Sequence, residues 1–338
     1  MIKNVDTAQR LAARALPQFG SADGRAAFTF VKHRENYVFR VDDDRGSFAL
    51  RLHRSGYRTE EEILEELDLV RALNEAGVSV PGVRLTTDGG AVCAVTDDEG
   101  DRHQVDMLEW VHGAAPMGDI GEAFTGVATV EASQFHALGA LIADLHDKTA
   151  ALQRVRPPVR SAWDSGGLVG ERAVWGDPRR AFPNDVDGRR TIDQAMSQLR
   201  SDLARYGELP GRYGPIHADF TPENVLVDGD RMTIIDFDDS GDGYYLFDLA
   251  TAAFFYLPHP QFEVVISALL AGYQSVRPLT DEDLAVWQPM LLARGLTYLA
   301  WASDRLGDET SEFIFEHLRP PLVEMAQAYV SSRASTAP

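Results

Sequence analysis

A short hairpin near residue 230 constrains the fold of this chain more than any other sequence feature. Two apolar runs, 225–227 and 232–235, flank an Asp-Gly dipeptide at 228–229, and this pattern is a strong signal for a tight β-hairpin. A hairpin brings the residue before its first strand close to the residue after its second strand. Asn224 and Asp236 are therefore predicted to lie together at its open end.

Polar side chains around this hairpin form a candidate metal and catalytic site. Asp219 lies on the loop that leads into the hairpin, five residues before Asn224. Together with Asp236 they give two carboxylates and one amide, whose hard oxygen atoms suit Mg²⁺ held against substrate phosphates. The carboxylate that does not bind metal could orient or deprotonate an attacking hydroxyl. An EF-hand calcium loop starting at Asp236 or Asp238 is excluded, because phenylalanine or leucine stands where it needs glutamate.

The remaining pattern predicts a small mixed lobe followed by a larger helical lobe. Strands are expected in the first part, at residues 26–33, 37–41, 47–53, 78–84, 91–95 and 105–111. A helix interrupts them, opened by a capping box from Thr59 to Glu62 and closed by Gly77. An irregular insertion at 151–189 accompanies helices at about 131–150, 190–206, 260–275, 281–305 and 309–331. We divide the chain into an N-terminal mixed lobe at 1–106, a linker at 107–112 and a mainly helical C-terminal lobe at 113–332.

The charges and apolar segments exclude some classes of protein. The 338 residues carry a formal net charge of −20, which argues against a general nucleic-acid binder. Most of this charge lies after residue 106, where it either favours a cationic acceptor or serves solubility alone. The chain starts without the apolar run of a signal peptide, and its longest apolar stretch, 244–257, is too short to span a bilayer. We expect a cytoplasmic monomer or homodimer with no membrane partner.

The site residues resemble the catalytic segment of a known enzyme family. His217, Asp219 and Asn224 form an HxDxxxxN motif, and Asp-Phe-Asp follows the hairpin at 236–238. This pattern resembles eukaryotic-like kinases, in the variant found in aminoglycoside phosphotransferases and choline kinases. The resemblance covers most of the chain. It implies an α+β, bilobal, protein-kinase-like fold, with a small antiparallel sheet and one helix in the first lobe and the catalytic hairpin in the larger helical lobe.

The resemblance also implies roles for these residues. Asp219 is expected to be the catalytic base that accepts the proton of the substrate hydroxyl. Asn224 and Asp236 are expected to bind the Mg²⁺ that bridges the phosphates of ATP. His217 should brace the loop by hydrogen bonding, and Asp238 should either assist the metal or the substrate or be structural.

The strand cation of this family is an arginine in this chain. Protein kinases place a lysine on the third strand, but Lys32 is on the first strand and the other lysines are remote, so Arg51 occupies the place. Arginine can grip phosphate oxygens with two hydrogen bonds, and the alternative for Arg51 is an ordinary solvated residue. For its helix partner we choose Glu66 over Glu65, because Glu66 borders the apolar stripe and Glu65 faces water.

Further expectations concern the surroundings of the site. The base of ATP should rest near Met107 and Glu109, where the chain crosses between lobes and exposes strand-edge backbone groups. Asp248 should anchor the catalytic loop from the start of a helix. Candidate lining residues for the acceptor, each with a core role as the alternative, are Arg160, Trp163, Trp175 and Trp301.

These observations predict an ATP- and Mg²⁺-dependent phosphotransferase. Its expected acceptor is a hydroxyl of a small amino-containing molecule: an aminoglycoside, an amino alcohol or a hydroxy amino acid. The pattern is most similar to the branch of homoserine- and hydroxylysine-type kinases and of stress-linked serine/threonine kinases of the SrkA kind. Two alternatives stay open, a SrkA-like protein kinase and a nucleotide-binding pseudokinase. The absence of a G-x-G-x-x-G loop disfavours a conventional regulated protein kinase.

Overall fold

A computed structural model describes residues 4–21, 26–33, 36–154, 156–307 and 309–334. Its strands are β1 Ala27–His33, β2 Tyr37–Asp43, β3 Gly46–Leu52, β4 Val83–Arg84, β5 Cys93–Thr96, β6 Arg102–Glu109, β7 Ala115–Pro116, β8 Tyr213–Ile216, β9 Val225–Asp228, β10 Arg231–Ile234 and β11 Gly241–Tyr244. Its α-helices are α1 Val5–Ala15, α2 Glu60–Glu75, α3 Ile120–Thr125, α4 Ala132–Ala151, α5 Ser165–Val169, α6 Val186–Tyr206, α7 Tyr245–Phe254, α8 Phe262–Gln274, α9 Asp281–Ala285, α10 Trp287–Ser303, α11 Glu309–His317 and α12 Arg319–Ala334.

The chain folds into two compact units, and each unit is built from three separate segments of the sequence. The first unit comprises Met1–Pro116, Leu152–Val159 and Val225–Asp238. The second comprises Met117–Ala151, Arg160–Asn224 and Asp239–Pro338. The hairpin of β9 and β10 therefore belongs to the first unit, and the loop that precedes it belongs to the second.

An antiparallel sheet forms the framework of the first unit. Its strand order is β1-β2-β3-β6-β4, with β5 paired to β6 outside this path. The hairpin is confirmed, because β9 and β10 pair from Asp228 with Arg231 to Val225 with Ile234. Helix α2 starts with the predicted capping box between Thr59 and Glu62. Its Ile63 and Leu67 are buried in an apolar cluster of this unit.

Helix α1 was not predicted from the sequence. Asn4 caps it, and its side chains join the apolar core of the first unit together with residues such as Phe39 and Leu50. Three of its four buried positions are alanines, which carry too little apolar surface to give a strong periodic signal.

The second unit is built mainly of helices. Helices α4 and α8 approach each other at two glycines, where a Cβ atom on Gly139 or Gly272 would lie within 2.0 Å of a backbone oxygen of the other helix. Helix α10 is buried along almost its whole length. The pairing of β8 with β11 was not predicted from the sequence; these short strands begin and end the segment around the predicted catalytic loop.

Prolines explain three differences between the expected and observed elements. The strand expected at 78–84 is reduced to β4, because Pro81 cannot donate to a strand ladder. The helix expected at 281–305 is two helices, α9 and α10, divided before Pro289. The helix expected at 309–331 divides at Leu318, directly before the first turn of α12, which holds Pro320 and Pro321.

The bounds of β6 also differ from those predicted. This strand lies at Arg102–Glu109 rather than 105–111, because its first residues pair with β5.

Candidate active site

The predicted site residues are distributed over both units. The second unit carries the predicted catalytic loop, with His217, Asp219 and Asn224. The first unit carries the residues expected to bind nucleotide and metal, namely Arg51, Glu66, Met107, Glu109, Asp236 and Asp238.

Hydrogen bonds join Asp219 to Asn224 in the catalytic loop. Asn224 ends a short 3-10 turn and donates from Nδ2 to Oδ2 of Asp219 at 2.8 Å and to its backbone carbonyl at 2.9 Å. Asn224 is buried, whereas 23% of the Asp219 side chain remains exposed. Because Nδ2 is directed to Asp219, the amide oxygen Oδ1 is the atom of Asn224 that could bind a cation. The loop therefore presents a partly exposed carboxylate beside a possible oxygen ligand.

Asp248 anchors the catalytic loop, as predicted. Its carboxylate is fully buried at the start of α7 and accepts the N–H groups of His217 at 3.0 Å and of Ala218 at 2.7 Å. His217 in turn accepts the N–H of Asp219 at Nδ1, at 3.1 Å. Ala218 has a φ of 66°, which costs energy for a residue other than glycine. The bonds to Asp248 hold the backbone in this turn, which sets the direction of the Asp219 side chain.

A buried histidine completes this anchor. His146 on α4 lies 3.0 Å from Oδ2 of Asp248 through Nε2 and 3.0 Å from the hydroxyl of Tyr273 through Nδ1. Burial lowers the pKa of His146, although the Asp248 carboxylate opposes this effect. The imidazole is therefore neutral at pH 7, with Nε2–H donating to Asp248 and Nδ1 accepting from Tyr273.

Arg294 is a site residue that the sequence analysis missed. From α10 it donates from Nη2 to Oδ1 of Asp219 at 2.7 Å and to the hydroxyl of Tyr298 at 2.7 Å. The signal that could have found it is a single cation within the apolar run of residues 290–302. A charge buried in such a helix requires a paired carboxylate, and Asp219 supplies it.

A buried charge cluster occupies the first unit. The guanidinium of Arg51 donates from Nε and Nη2 to the two oxygens of Asp106, at 2.9 Å each, and from Nη1 to Glu66 at 2.6 Å. His53 lies 2.5 Å from Asp106 through Nε2. All four side chains are buried. Arg51 is therefore not a solvated strand residue, and the choice of Glu66 as its partner is confirmed.

In this cluster, the attraction between opposite charges offsets the cost of burying each charged side chain. Burial opposes the charge of Arg51, but Asp106 and Glu66 raise the pKa of Arg51 well above its ordinary value. Burial likewise opposes ionisation of Asp106, but Arg51 and His53 keep the pKa of Asp106 below its ordinary value. Glu65 does not simply face water, since it accepts the N–H of Val159 at 2.8 Å.

Lys32 contacts the predicted metal ligand Asp236. Its Nζ lies 2.9 Å from Oδ2 of Asp236, and both side chains are partly exposed. The register of β1 with β2 shifts between Phe30 and Lys32, so a bulge redirects the strand at this point. Asp236 has a φ of 67°, and such strained residues cluster at functional sites. Because the Asp236 carboxylate already pairs with a cation, it is suited to bind a metal ion.

The neighbouring Asp238 is held by an arginine. Its backbone carbonyl accepts from Nη2 of Arg58 at 2.9 Å, and its carboxylate lies 4.0 Å from Nε of the same residue. Asp238 is buried. These contacts favour the structural alternative for Asp238.

The strand-edge groups expected near Met107 are not at an edge. Strand β6 is paired on both sides at Met107, with Leu50 of β3 and Arg84 of β4. The N–H of Glu109 donates to Gly82 at 2.7 Å. The expectation of exposed strand-edge groups near Met107 is wrong. Strand β4 pairs with Met107 and Leu108 of β6, and Glu109, the last residue of β6, bonds to Gly82.

The candidate lining residues mostly brace a loop. Trp163 and Arg160 are buried and donate to the backbone carbonyls of Asp239, at 2.8 Å, and Ser240, at 3.2 Å. Trp175 donates from Nε1 to the carboxylate of Asp239 at 3.2 Å. Trp301 is only half-buried and lies against Arg305. These contacts give Trp163 and Arg160 the structural role that was their alternative.

Each of the two predicted metal ligands carries an oxygen donor of the kind that a hard divalent cation prefers. In the described residues, no three His, Cys, Asp or Glu side chains form a complete metal site. Mg²⁺ does not need one, because it is usually held by one or two protein ligands together with substrate phosphates. Asp236 and the amide oxygen of Asn224 are donors of this kind. Within the described residues, no helix combines the length and apolar character needed to cross a membrane.

The fold and the loop around Asp219 define a phosphotransferase of protein-kinase-like architecture. A family model described as the phosphotransferase enzyme family matches residues 28–289. The chain belongs to this family.

Named relatives agree with this assignment. A homoserine kinase from Janthinobacterium sp. (strain Marseille) is 26% identical over 282 residues, covering 80% of this chain and 76% of the relative. A solved microcompartment-associated aminopropanol kinase is 30% identical with a TM-score of 0.82, covering 96% of this chain and 98% of that one. An amicoumacin kinase in complex with AMP-PNP, Ca²⁺ and Ami shares the fold at 21% identity and a TM-score of 0.74, covering 94% and 93%. The chain is thus a kinase that acts on hydroxyl groups.

Proposed function

We propose that the chain is an ATP- and Mg²⁺-dependent kinase that phosphorylates a hydroxyl of a small amino-containing molecule. The observation that carries this proposal is the partly exposed Asp219 carboxylate, held beside Asn224 in a loop anchored by Asp248. A phosphoryl acceptor must be placed in line with the phosphate it attacks. A carboxylate fixed from several directions is suited to this task.

Asp219 would accept the proton of the acceptor hydroxyl. Phosphoryl transfer passes through a loose transition state, so catalysis depends on position and charge more than on a strong base. Two of the Asp219 contacts are hydrogen bonds from donors, Arg294 and Asn224, which hold the carboxylate in place. Asp219 would therefore act mainly by orienting the hydroxyl and taking its proton late.

The nucleotide would be held by the first unit. Mg²⁺, when bound, neutralises the charge that develops on the transferring phosphate, and Asp236 with Asn224 would hold it. Arg51 is committed to Asp106 and Glu66, so Lys32 is the better placed mobile cation to face phosphates. Met107 and Glu109 remain our proposed surroundings of the base. The complex of the amicoumacin kinase with AMP-PNP and Ca²⁺ supports nucleotide and metal use.

The relatives and the charge of the chain support the proposed acceptor class. Homoserine and aminopropanol each carry a hydroxyl and an amine, and kinases named for them match most of this chain. The part of the chain after residue 106 carries most of the net charge of −20, and an acidic surface concentrates cations. A cytoplasmic location, where ATP is abundant, fits this function.

An acceptor screen tests the proposal. ADP release would be measured with MgATP against homoserine, 1-amino-2-propanol, ethanolamine, hydroxylysine, an aminoglycoside and a protein substrate, with mass spectrometry of the products. We expect turnover with a small amino-bearing alcohol, and a loss of about 10³-fold in kcat for Asp219→Asn. Asp230→Asn, at an exposed turn of the same hairpin, is the matched control and should retain wild-type activity. Phosphate found only on protein would favour a SrkA-like kinase instead.

A further inference from the structure

A fully buried arginine is salt-bridged to the proposed catalytic carboxylate. Arg294 has no exposed surface, and its Nη2 contacts Asp219 and Tyr298. Its Nε and Nη1 atoms are buried and have no hydrogen-bond partner among the described residues. Leaving the N–H groups of these two guanidinium nitrogens without acceptors is costly, so the burial of this arginine carries a stability penalty.

Aromatic rings hold this guanidinium in place. Its central carbon lies 4.0 Å from the ring centroid of Tyr298, 4.7 Å from that of Trp175 and 5.1 Å from that of Phe247. Such faces attract a cation and leave it little freedom to turn. In the part of the chain that the structure describes, Asp219 is the carboxylate in salt-bridge contact with Arg294.

The two oxygens of Asp219 have different donors. Oδ1 accepts from Arg294 and Oδ2 from Nδ2 of Asn224. Donors on both oxygens select a single orientation of the carboxylate plane. We propose that Arg294 is a positioning residue, which fixes the Asp219 carboxylate in the orientation that receives the acceptor hydroxyl. This inference rests on the proposed function.

Arg294 is fully buried, so its effect on the reaction would come through Asp219. Its removal should therefore lower kcat more than it changes KM, since the binding contacts of ATP and acceptor stay in place. A misplacement of about 1 Å can cost about 10²-fold in rate.

Steady-state kinetics of three variants test this expectation. For Arg294→Met we expect kcat to fall by about 10²-fold with KM for ATP changed less than about 2-fold. Arg294→Lys keeps the charge but loses the planar fork, and should recover part of the lost kcat. Arg212→Met is the matched control, because Arg212 also stacks on a tyrosine and pairs with a carboxylate, at Tyr206 and Glu282. It should leave kcat unchanged. Wild-type kcat in Arg294→Met would overturn the inference.

A double-mutant cycle, measured by melting temperature, tests the contact between Arg294 and Asp219 without a measurement of activity. Asp219→Asn leaves the buried guanidinium without its counter-charge, so we expect the melting temperature to fall by about 5 °C. Adding Arg294→Met to that variant should restore at least half of the loss. If the double variant is no more stable than Asp219→Asn alone, the two residues are not coupled and the inference is overturned. A coupled pair in a protein that turns over no acceptor would count against the proposed function alone.

Discussion

The guanidinium of Arg51 and the carboxylate of Asp106 face each other across β3 and β6, joined by two hydrogen bonds of 2.9 Å. The strand register makes them direct partners, and Glu66 of α2 supplies a second carboxylate to the same guanidinium. The cluster therefore ties α2 to the sheet. A cation balanced by two buried carboxylates is less available to phosphates than a kinase lysine paired with one glutamate.

Replacing Asp106 with asparagine should destabilise the protein. The change leaves the buried Arg51 with one carboxylate and places an amide in a site shaped for a bidentate pair, so we expect a loss of about 3–5 kcal/mol in the free energy of unfolding. Urea denaturation measures it. Asp98→Asn is the control, because Asp98 pairs with Arg14 on the surface with 90% of its side chain exposed, and its midpoint should stay near that of wild type. Equal midpoints for both variants would contradict the cluster's role.

Two adjacent glutamates of α2 should respond differently to the same substitution. Glu66→Gln keeps the shape but removes a charge on a side chain that is 1% exposed and 2.6 Å from Arg51, so we expect a loss of about 2 kcal/mol in the free energy of unfolding. Glu65→Gln keeps an acceptor for the Val159 N–H and should change this free energy little. Urea denaturation of the two variants measures the difference. A larger effect at Glu65 would reverse the assignment.

Local chemistry accounts for what the sequence predicted correctly. The β9–β10 hairpin depends on an Asp-Gly turn, and α2 depends on a capping box, so both could be read from a few neighbouring residues. The inward position of Glu66 follows from helical spacing alone. The anchoring role of Asp248 came from the family motif.

Contacts between residues that are far apart in the sequence could not be predicted from local sequence patterns. Arg294 lies 75 positions from Asp219, and Asp106 lies 55 positions from Arg51. Neither pair has a local signal beyond an unusual charge in an apolar run. The place of Lys32 on the first strand predicts no contact with the site, yet the bulge in β1 and the turn at Asp236 bring Lys32 and Asp236 together.

Lys32 should compete with divalent metal for Asp236 when no nucleotide is present. An exposed ion pair is worth about 0.2–1 kcal/mol, so Lys32→Met should tighten Mn²⁺ binding by about 1.4- to 5-fold. Calorimetric titration of the nucleotide-free protein with MnCl₂ measures the change. Lys148→Met, on α4 of the second unit, removes the same charge elsewhere and should have no such effect. Weaker metal binding in Lys32→Met would show that the lysine supports the site instead.

Acidification should weaken the anchor of the catalytic loop through His146. Burial lowers the pKa of His146, so the folded protein keeps its imidazole neutral while the unfolded chain takes up a proton as the pH falls below about 6.5. The unfolded state then binds more protons, and the free energy of unfolding falls as the pH falls. Urea denaturation at pH 7.5 and 5.5 measures this loss.

His146→Gln, which cannot take the proton, should lose less stability between these two pH values than wild type. His136→Gln, exposed on the same helix, should lose as much as wild type, and an equal loss in both variants would show that another group governs the acid sensitivity.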